Sequence, residues 1–316
     1  MGSKKLKAIY CKGHTKLEPK NPDAFKEAKK HYIKTLITPE HKNFGKFGTP
    51  GGIEGLHEMG ILPTKNWQAG QFEGKTKISG ETLYDTLLEK RNTCTSCPVR
   101  CKREVETVVL GEKIIPKEGG PEYETIGALG SLCLNDDLKI ISLANKLCND
   151  YGLDTISTGA VIAFSMEAHE KGLINDGIHW GDGPGIIKLV RDIAFRRNTG
   201  KILGEGVLRA SKQIGGEDFA IHVKGVELPM HEARGKKGLG LSYACTPRGA
   251  NHMEGFHDTG SWEGDNGSPQ LGITEGIDRF ETKGKANLVF KIENVYSFIN
   301  SLICLLYTSP SPRDRG

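Results

Sequence analysis

The chain has 316 residues and a formal net charge of +4, from 43 Lys and Arg against 39 Asp and Glu. Hydrophobic residues make up 37% and charged residues 26%, which excludes a disordered chain. No apolar run approaches the roughly 20 residues that cross a bilayer, and the nearly balanced charge gives no indication of nucleic-acid binding. No secretory signal precedes the eight cysteines, so we expect a cytoplasmic protein whose cysteines bind metal or take part in catalysis.

Both ends of the chain have unusual sequences. Residues 4–10 are basic and then apolar, and they predict a strand that pairs with a segment outside this chain, or else an ordinary N-terminal strand. Residues 304–314 read as the in-frame translation of a sequencing-library adapter, with a disordered Ser/Pro tail as the alternative. We therefore expect residues 304–316 to be non-native and the natural chain to continue beyond Ile303.

Hydrophobic periodicity and turn residues predict a mainly α protein with a few short strands. In the first half the pattern predicts a hairpin around Gly111, at 104–115, and helices over 24–36, 53–59 and 79–90. In the second half it predicts helices over 136–149, 155–171, 184–197, 202–214 and 278–303. Between the last two lie a short extended stretch at 223–228 and a Gly- and His-rich loop at 235–260.

The strongest local signal is a CxxCxxxC run formed by Cys94, Cys97 and Cys101. Three thiolates at this spacing can occupy three corners of one metal centre, either a [4Fe–4S] cluster or zinc. The next cysteines, Cys133 and Cys148, lie in apolar helical patterns, and no second CxxC or His pair follows nearby. This favours an iron–sulfur cluster, with zinc and an unmetallated group of thiols as alternatives.

Several motifs, in this order, resemble those of the tungsten-containing aldehyde ferredoxin oxidoreductases. They are the cysteine run, GPEYET at 120–125, NDYGLDT at 149–155 and RGANH at 248–252, with further likeness at 1–8 and 62–67. Members of that family bind tungsten, or molybdenum, between two pterin dithiolenes beside a [4Fe–4S] cluster. They oxidise aldehydes to carboxylic acids and pass electrons through the cluster to ferredoxin. By this resemblance the three cysteines of the run are cluster ligands.

The resemblance also implies a domain organisation. It predicts the end of a β-rich pterin domain at 1–18, a helical domain with the cluster and pterin motifs at 19–222, a truncated third domain, also helical, at 223–303, and the non-native tail. The fourth cluster cysteine would follow Ile303, and Cys304 stands one position too early to be that ligand. We therefore expect the 316-residue chain to be inactive and prone to aggregation.

The resemblance implies that Asn149, Leu153 and Asp154 bind the pterin, although Asn149 stands where the family has Asp. Locally the same segment reads as a helix C-cap at Gly152 followed by an N-cap at Asp154, and both interpretations can hold. Arg248 matches an arginine that contacts the pterin in the family. A guanidinium is suited to bind the phosphate or the ring of a pterin.

For catalysis the resemblance favours Glu124 and His252 beside the metal, with Glu122 as a second carboxylate. We expect burial next to metal oxo groups to raise the pKa of Glu124 and to suit it to proton transfer, and His252 to donate a hydrogen bond to a metal oxo group or the substrate carbonyl. Without the motifs, Glu122 reads as a helix cap and His252 as an ordinary histidine. The stretch at 231–235 resembles the family's DPRG motif with its Asp and Pro replaced, and we rank its functional role below those of Glu124 and His252.

Three classes of function remain open from the sequence. The first is a tungsten–bispterin oxidoreductase acting on an aldehyde, or in the reductive direction on an aromatic thioester or a carboxylic acid. The others are an iron–sulfur electron carrier and a zinc-containing helical binding protein. For the oxidoreductase, the implied partners are ferredoxin and a small aldehyde, without nucleic acid or membrane, and a homodimer of the complete protein is left open.

Overall fold

The computed structural model describes residues 6, 8–10, 12–14, 18–94, 97–253, 257–258, 272–273 and 276–301. The α-helices of this part are α1 (Pro22–Leu36), α2 (Pro39–Phe47), α3 (Ile53–Glu58), α4 (Gly80–Thr86), α5 (Tyr123–Leu129), α6 (Leu138–Tyr151), α7 (Thr155–Glu170), α8 (Gly183–Phe195), α9 (Gly200–Leu203), α10 (Val207–Ile214), α11 (Lys237–Cys245) and α12 (Lys285–Ser301). The strands form three antiparallel pairs: β1 (Leu88–Asn92) with β2 (Lys102–Val105), β3 (Thr107–Val109) with β4 (Glu112–Ile114), and β5 (His222–Val223) with β6 (Val226–Glu227). The predicted mainly α fold with short strands is confirmed.

Local signals place the first helix and the first hairpin where the sequence predicts them. Asn21 Oδ1 accepts a hydrogen bond of 3.0 Å from the Ala24 backbone N–H and so begins α1. In the hairpin of β3 and β4, Leu110 and Gly111 both have positive φ, 50° and 79°. This is the backbone of a two-residue turn that matches the twist of the strands it joins.

One prediction for the first half is wrong. The helix predicted over 79–90 ends at Thr86, because residues 88–92 form β1, whose partner β2 lies beyond the cysteine segment. The described residues Ile9 and Tyr10 of the predicted N-terminal strand are irregular and exposed, which does not support an ordinary N-terminal strand, and pairing with a segment outside this chain stays a prediction. The other members of that segment include residues outside the described part.

Helix α5 lies at the centre of the core, and each of its seven residues is buried. It packs most closely on α7, where Gly159 faces Ala128: a Cβ at Gly159 would lie 2.5 Å from the Ala128 carbonyl oxygen. A second close approach joins Gly127 to Met230, with 2.6 Å from such a Cβ to the Met230 Cγ. These contacts hold the first turn of α5, and the Glu124 that it carries, inside the molecule.

The second half departs from the prediction at three places. The last helix, predicted over 278–303, begins only at Lys285. The helix predicted over 202–214 divides into α9 and α10 at Gly206, whose φ of 86° interrupts the helix. The loop predicted over 235–260 contains α11. The backbone N–H groups of Gly238 and Leu239 each donate to a carboxylate oxygen of Asp258, both at 3.0 Å, and this contact stabilises the start of α11.

The buried hydrophobic side chains form one large cluster between Ile53 and Met230 and two small ones at higher residue numbers. The change from one cluster to the next falls near the predicted boundary between 222 and 223, and the domain division stays a prediction. No helix of the described part is long and apolar enough to cross a membrane. The predicted tail at 304–316 lies outside the described residues.

Candidate active site and cofactor-binding residues

The three cysteines of the run lie between β1 and β2, partly buried and not disulfide-bonded. Thr93 orders the segment, because its hydroxyl donates to the carbonyls of Cys94 and Cys97 at 3.1 and 2.6 Å. Burial, followed by the charges of Glu122, Cys94 and Cys97, raises the pKa of the Cys101 thiol to about 11. The thiols are therefore close enough to influence one another's charge. Their chemistry fits three ligands of one metal centre that would bind them as thiolates.

A completely buried guanidinium supports this segment. Arg103 has no exposed surface and donates to four backbone carbonyls: Gly45 at 2.9 Å, Lys46 at 2.5 Å, Cys101 at 3.0 Å and Arg100 at 3.3 Å. Two of these carbonyls belong to α2 and two to the cysteine segment. Arg103 therefore attaches the segment to the helical core and places a positive charge beside Cys101, where it offsets thiolate charge.

Two carboxylates at the start of α5 lie between the cysteine segment and a cluster of histidines. Glu122 Oε2 accepts from the Thr49 hydroxyl at 2.5 Å, and its charge acts on Cys101 and Arg103. Glu122 occupies the N-cap position of α5, as the helix-cap interpretation predicts, but its side chain makes no capping hydrogen bond. Glu124, two residues later, lies within the histidine cluster, so α5 brings the two sites together.

Glu124 is the buried anion of this cluster. Its Oε2 accepts from the Met230 backbone N–H at 2.7 Å, while Oε1 lies 2.9 Å from His231 Nε2 and 3.5 Å from His252 Nε2. No donor among the described residues makes a well-aligned hydrogen bond to Oε1. A buried carboxylate oxygen left in this state is suited to receive a proton or a hydrogen bond from a group bound beside it.

The neighbouring charges decide the protonation of the cluster. Burial raises the pKa of Glu124, but the charge of His252 and the contact with His231 outweigh burial and hold the pKa at about 2. Burial alone would raise this pKa, but in the described structure the two imidazoles reverse the shift, and the raised pKa predicted for burial next to metal oxo groups stays a prediction. Burial also lowers the pKa values of His231 and His257, so both rings are neutral at pH 7.

The predicted pterin motif lies next to this cluster, at the junction of α6 and α7. Gly152 ends α6 with a φ of 70°, and Asp154 begins α7 by accepting from the Ser157 backbone N–H at 2.9 Å. The predicted caps are confirmed. Thr155 is bonded to Thr125 through their hydroxyls at 2.9 Å, so the residue after Asp154 contacts the residue after Glu124.

Two of the remaining pterin candidates, Asn149 and Leu153, lie at this junction, and the third, Arg248, lies on a later segment. Asn149 and Leu153 are partly buried, and Leu153 packs against the main core. Arg248 is exposed at the start of the segment that leads to His252. The next residue, Gly249, with φ of 95°, lies so close to β5 that a Cβ would be 2.3 Å from the Val223 carbonyl oxygen. Only a glycine fits this approach, which fixes the path between Arg248 and His252.

Sequence reasoning missed three members of the histidine cluster: His231, His257 and Lys236. The His231 ring stacks on His252 with 4.9 Å between centroids and meets His257 edge-on at 4.5 Å. The likeness of 231–235 to the family's DPRG stretch was the one signal that could have found His231. Lys236 had no signal, since a lysine in a Gly-rich stretch reads as an exposed residue.

Comparison with known proteins identifies relatives over most of the chain. A family model described as aldehyde ferredoxin oxidoreductase, domains 2 and 3, matches residues 25–314. The match includes 304–314, and the non-native origin of that stretch stays a prediction. A tungsten-containing aldehyde ferredoxin oxidoreductase of Thermococcus kodakarensis is 36% identical over 265 residues, which are 81% of this chain and 43% of the relative.

Two further matches extend the comparison. An aliphatic sulfonate oxidoreductase, WOR-like subunit, of Pyrococcus furiosus is 30% identical over 269 residues, which are 80% of this chain and 42% of the relative. Among solved structures, the active-site complex BamBC of benzoyl coenzyme A reductase matches with a TM-score of 0.55 at 19% identity, over 77% of this chain and 38% of that chain. That likeness shows a shared fold. The chain spans less than half the length of the curated relatives it matches.

Proposed function

This chain belongs to the aldehyde ferredoxin oxidoreductase family, and from that membership we propose that it carries the cluster-binding and catalytic residues of an aldehyde-oxidising enzyme. The proposed reaction converts an aldehyde and water into a carboxylic acid, two electrons and two protons, with ferredoxin as the electron acceptor. The observation that carries the proposal is the buried cluster of Glu124, His231 and His252. Glu124 follows Glu122 by two residues, and the charge of Glu122 acts on Cys101 in the cysteine segment.

The residues of the chain fit the cofactors of this family. Cys94, Cys97 and Cys101 would supply three ligands of a [4Fe–4S] cluster, and Arg103 would offset part of its negative charge. Asn149, Leu153, Asp154 and Arg248 would hold the tungsten–bispterin cofactor, or its molybdenum counterpart, near the start of α7. When bound, that cofactor supplies two-electron chemistry and the cluster transfers electrons singly.

The side chains then have defined tasks. Glu124 is ionised at neutral pH, so its Oε1 can accept a proton from the water that adds to the aldehyde, while His231 Nε2 lies 2.9 Å from the same oxygen. His252, with Nε2 3.5 Å from the same oxygen, orients the substrate carbonyl by donating a hydrogen bond. The burial of both side chains excludes bulk water and strengthens these interactions. An electron carrier would need neither group.

Thiols that bind a cluster persist in a reducing compartment, which favours a cytoplasmic location. Basic side chains at the surface near the cysteine segment, including Arg100 and Lys90, suit an acidic ferredoxin.

The test uses the tungsten-loaded protein that contains this chain. We expect Glu124→Gln to lower kcat/KM for a small aldehyde by about 10²–10⁴-fold, the range for loss of a general base, and His252→Ala to lower it by about 10²-fold, as for loss of one electrostatic donor. The matched control is Glu73→Gln, an exposed carboxylate away from the cluster. Wild-type rates in the Glu124 and His252 variants, with tungsten and iron bound, would refute the assignment.

A further inference from the structure

Lys236 is a buried cation that the proposed chemistry does not yet use. Its side chain is 1% exposed, and its Nζ lies 3.4 Å from His231 Nδ1, on the side of the ring opposite Glu124. Lysine is almost never buried to this degree unless its ammonium has a specific partner. Within the described part of the chain, the contact with His231 is the hydrogen bond that its Nζ makes.

The carboxylates near Lys236 are engaged by other groups. Asp258 binds the ammonium of Lys285 at 2.8 Å as well as the first turn of α11. Glu232 binds the guanidinium of Arg234 at 2.7 Å. These carboxylates favour the charged form of Lys236 from a distance and leave its ammonium directed at the imidazole.

The chemistry of this contact fixes the protonation of the ring. An ammonium has donors and no acceptor, so the imidazole nitrogen that faces it must provide a lone pair. Nδ1 of His231 therefore carries no hydrogen, and a neutral ring then carries its hydrogen on Nε2. That nitrogen is the one 2.9 Å from Glu124 Oε1. We propose that Lys236 is a positioning residue that fixes His231 as the neutral Nε2–H tautomer, with its N–H on the side of Glu124.

The surrounding groups support this assignment. The ring is faced by Tyr123, His252 and His257, and burial followed by the charges of Glu124 and Lys236 sets its protonation. Burial is the largest cause that lowers the pKa of Lys236 to about 8, and the charge of Arg279 acts in the same direction. The negative charges of Asp258, Glu124 and Glu232 raise this pKa and only partly offset the effect of burial. Lys236 therefore stays protonated at pH 7 and keeps its role as a donor.

The proposed protonation of His231 distinguishes this cluster from a metal site. Glu124 Oε1, His231 Nε2 and His252 Nε2 lie within 4.8 Å of one another, which is close enough to ligate one ion. A metal would take the lone pair of His231 Nε2 and move the hydrogen to Nδ1, where the ammonium of Lys236 opposes it. The proposal therefore predicts that Zn²⁺ added to the chain does not bind at His231.

The proposal deepens the proposed function, and its first test needs no turnover. The chain is labelled with ¹⁵N-histidine, its ring signals are recorded by NMR at pH 7, and His231 is assigned by its loss in His231→Gln. We expect the Nε2–H tautomer, unchanged on adding Zn²⁺. An Nδ1–H tautomer, a protonated ring, or a Zn²⁺-dependent shift of the His231 signals would overturn the proposal, whatever the activity of the enzyme.

A pair of variants separates positioning from folding. Lys236→Met removes the ammonium, so we expect His231 to populate both tautomers and its pKa to rise. Lys236→Arg keeps a charged donor and should restore the Nε2–H tautomer. In the loaded protein, the acidic limb of the kcat/KM pH profile should move to higher pH in Lys236→Met alone. An unchanged tautomer and pKa in a folded Lys236→Met chain would contradict the role assigned to Lys236.

Discussion

Replacing Arg103 tests how the cysteine segment is held. In Arg103→Met the side chain keeps most of its volume but loses all four hydrogen bonds to backbone carbonyls. The carbonyl of Gly45 is the acceptor in the fully buried bond, and leaving it unsatisfied costs about 1–3 kcal/mol. The other three carbonyls are partly exposed, so water can replace the guanidinium there and their loss adds about 1 kcal/mol together.

The expected decrease in the free energy of unfolding is therefore about 3 kcal/mol, measured by urea denaturation of the chain with fluorescence detection and an unchanged m-value. Arg103→Lys is the matched control. It keeps the charge and can make some of the hydrogen bonds to the backbone carbonyls, so its decrease in the free energy of unfolding should be smaller. A decrease below about 1 kcal/mol in Arg103→Met would show that the guanidinium does not anchor the segment.

Two further predictions concern α5 and its carboxylate. Gly159→Ala should destabilise the chain by about 2 kcal/mol in thermal or urea unfolding, because its Cβ would clash with Ala128. Gly55→Ala, in exposed helix with open space around it, should be neutral or stabilising by up to about 1 kcal/mol, and equal effects at the two sites would contradict the close packing of α5 on α7. The Glu124 pKa, about 2 when folded against 4.5 when unfolded, stabilises the fold above pH 4.5, and this contribution is lost as the pH falls toward 2. Between pH 5 and 3.5, Glu124→Gln should therefore lose about 1 kcal/mol less stability than the wild type, and parallel pH curves would show that Glu124 is not held ionised.

Sequence reasoning succeeded where the signal is local. The cap at Asn21, the turn at Gly111 and the caps at Gly152 and Asp154 depend on neighbours within a few residues, so the pattern of residues contains what the backbone needs. The mainly α class followed for the same reason, because helical periodicity is itself local. The family motifs identified Glu124 and His252, which the structure brings to the same buried cluster.

The failures involve partners that are distant in sequence. The sequence of α11 predicts a loop, because the carboxylate that binds the first turn of the helix belongs to Asp258, which lies beyond the end of the helix in sequence. Strand β1 reads as helix because its partner lies beyond the cysteine segment. Burial alone predicts a raised pKa for Glu124, and the pKa falls because His231 and His252 converge on it from more than 100 residues away. Local periodicity contains no information about such contacts.

We propose that the cysteine segment and the Glu124 cluster belong to one tungsten and iron–sulfur oxidoreductase. The most direct measurement is the metal content of the purified protein that contains this chain, grown with tungstate and molybdate and determined by mass spectrometry. We predict about four iron atoms and one tungsten or molybdenum atom per chain, with the iron lost in Cys97→Ser. Zinc in place of iron, or iron without tungsten or molybdenum, would contradict the account.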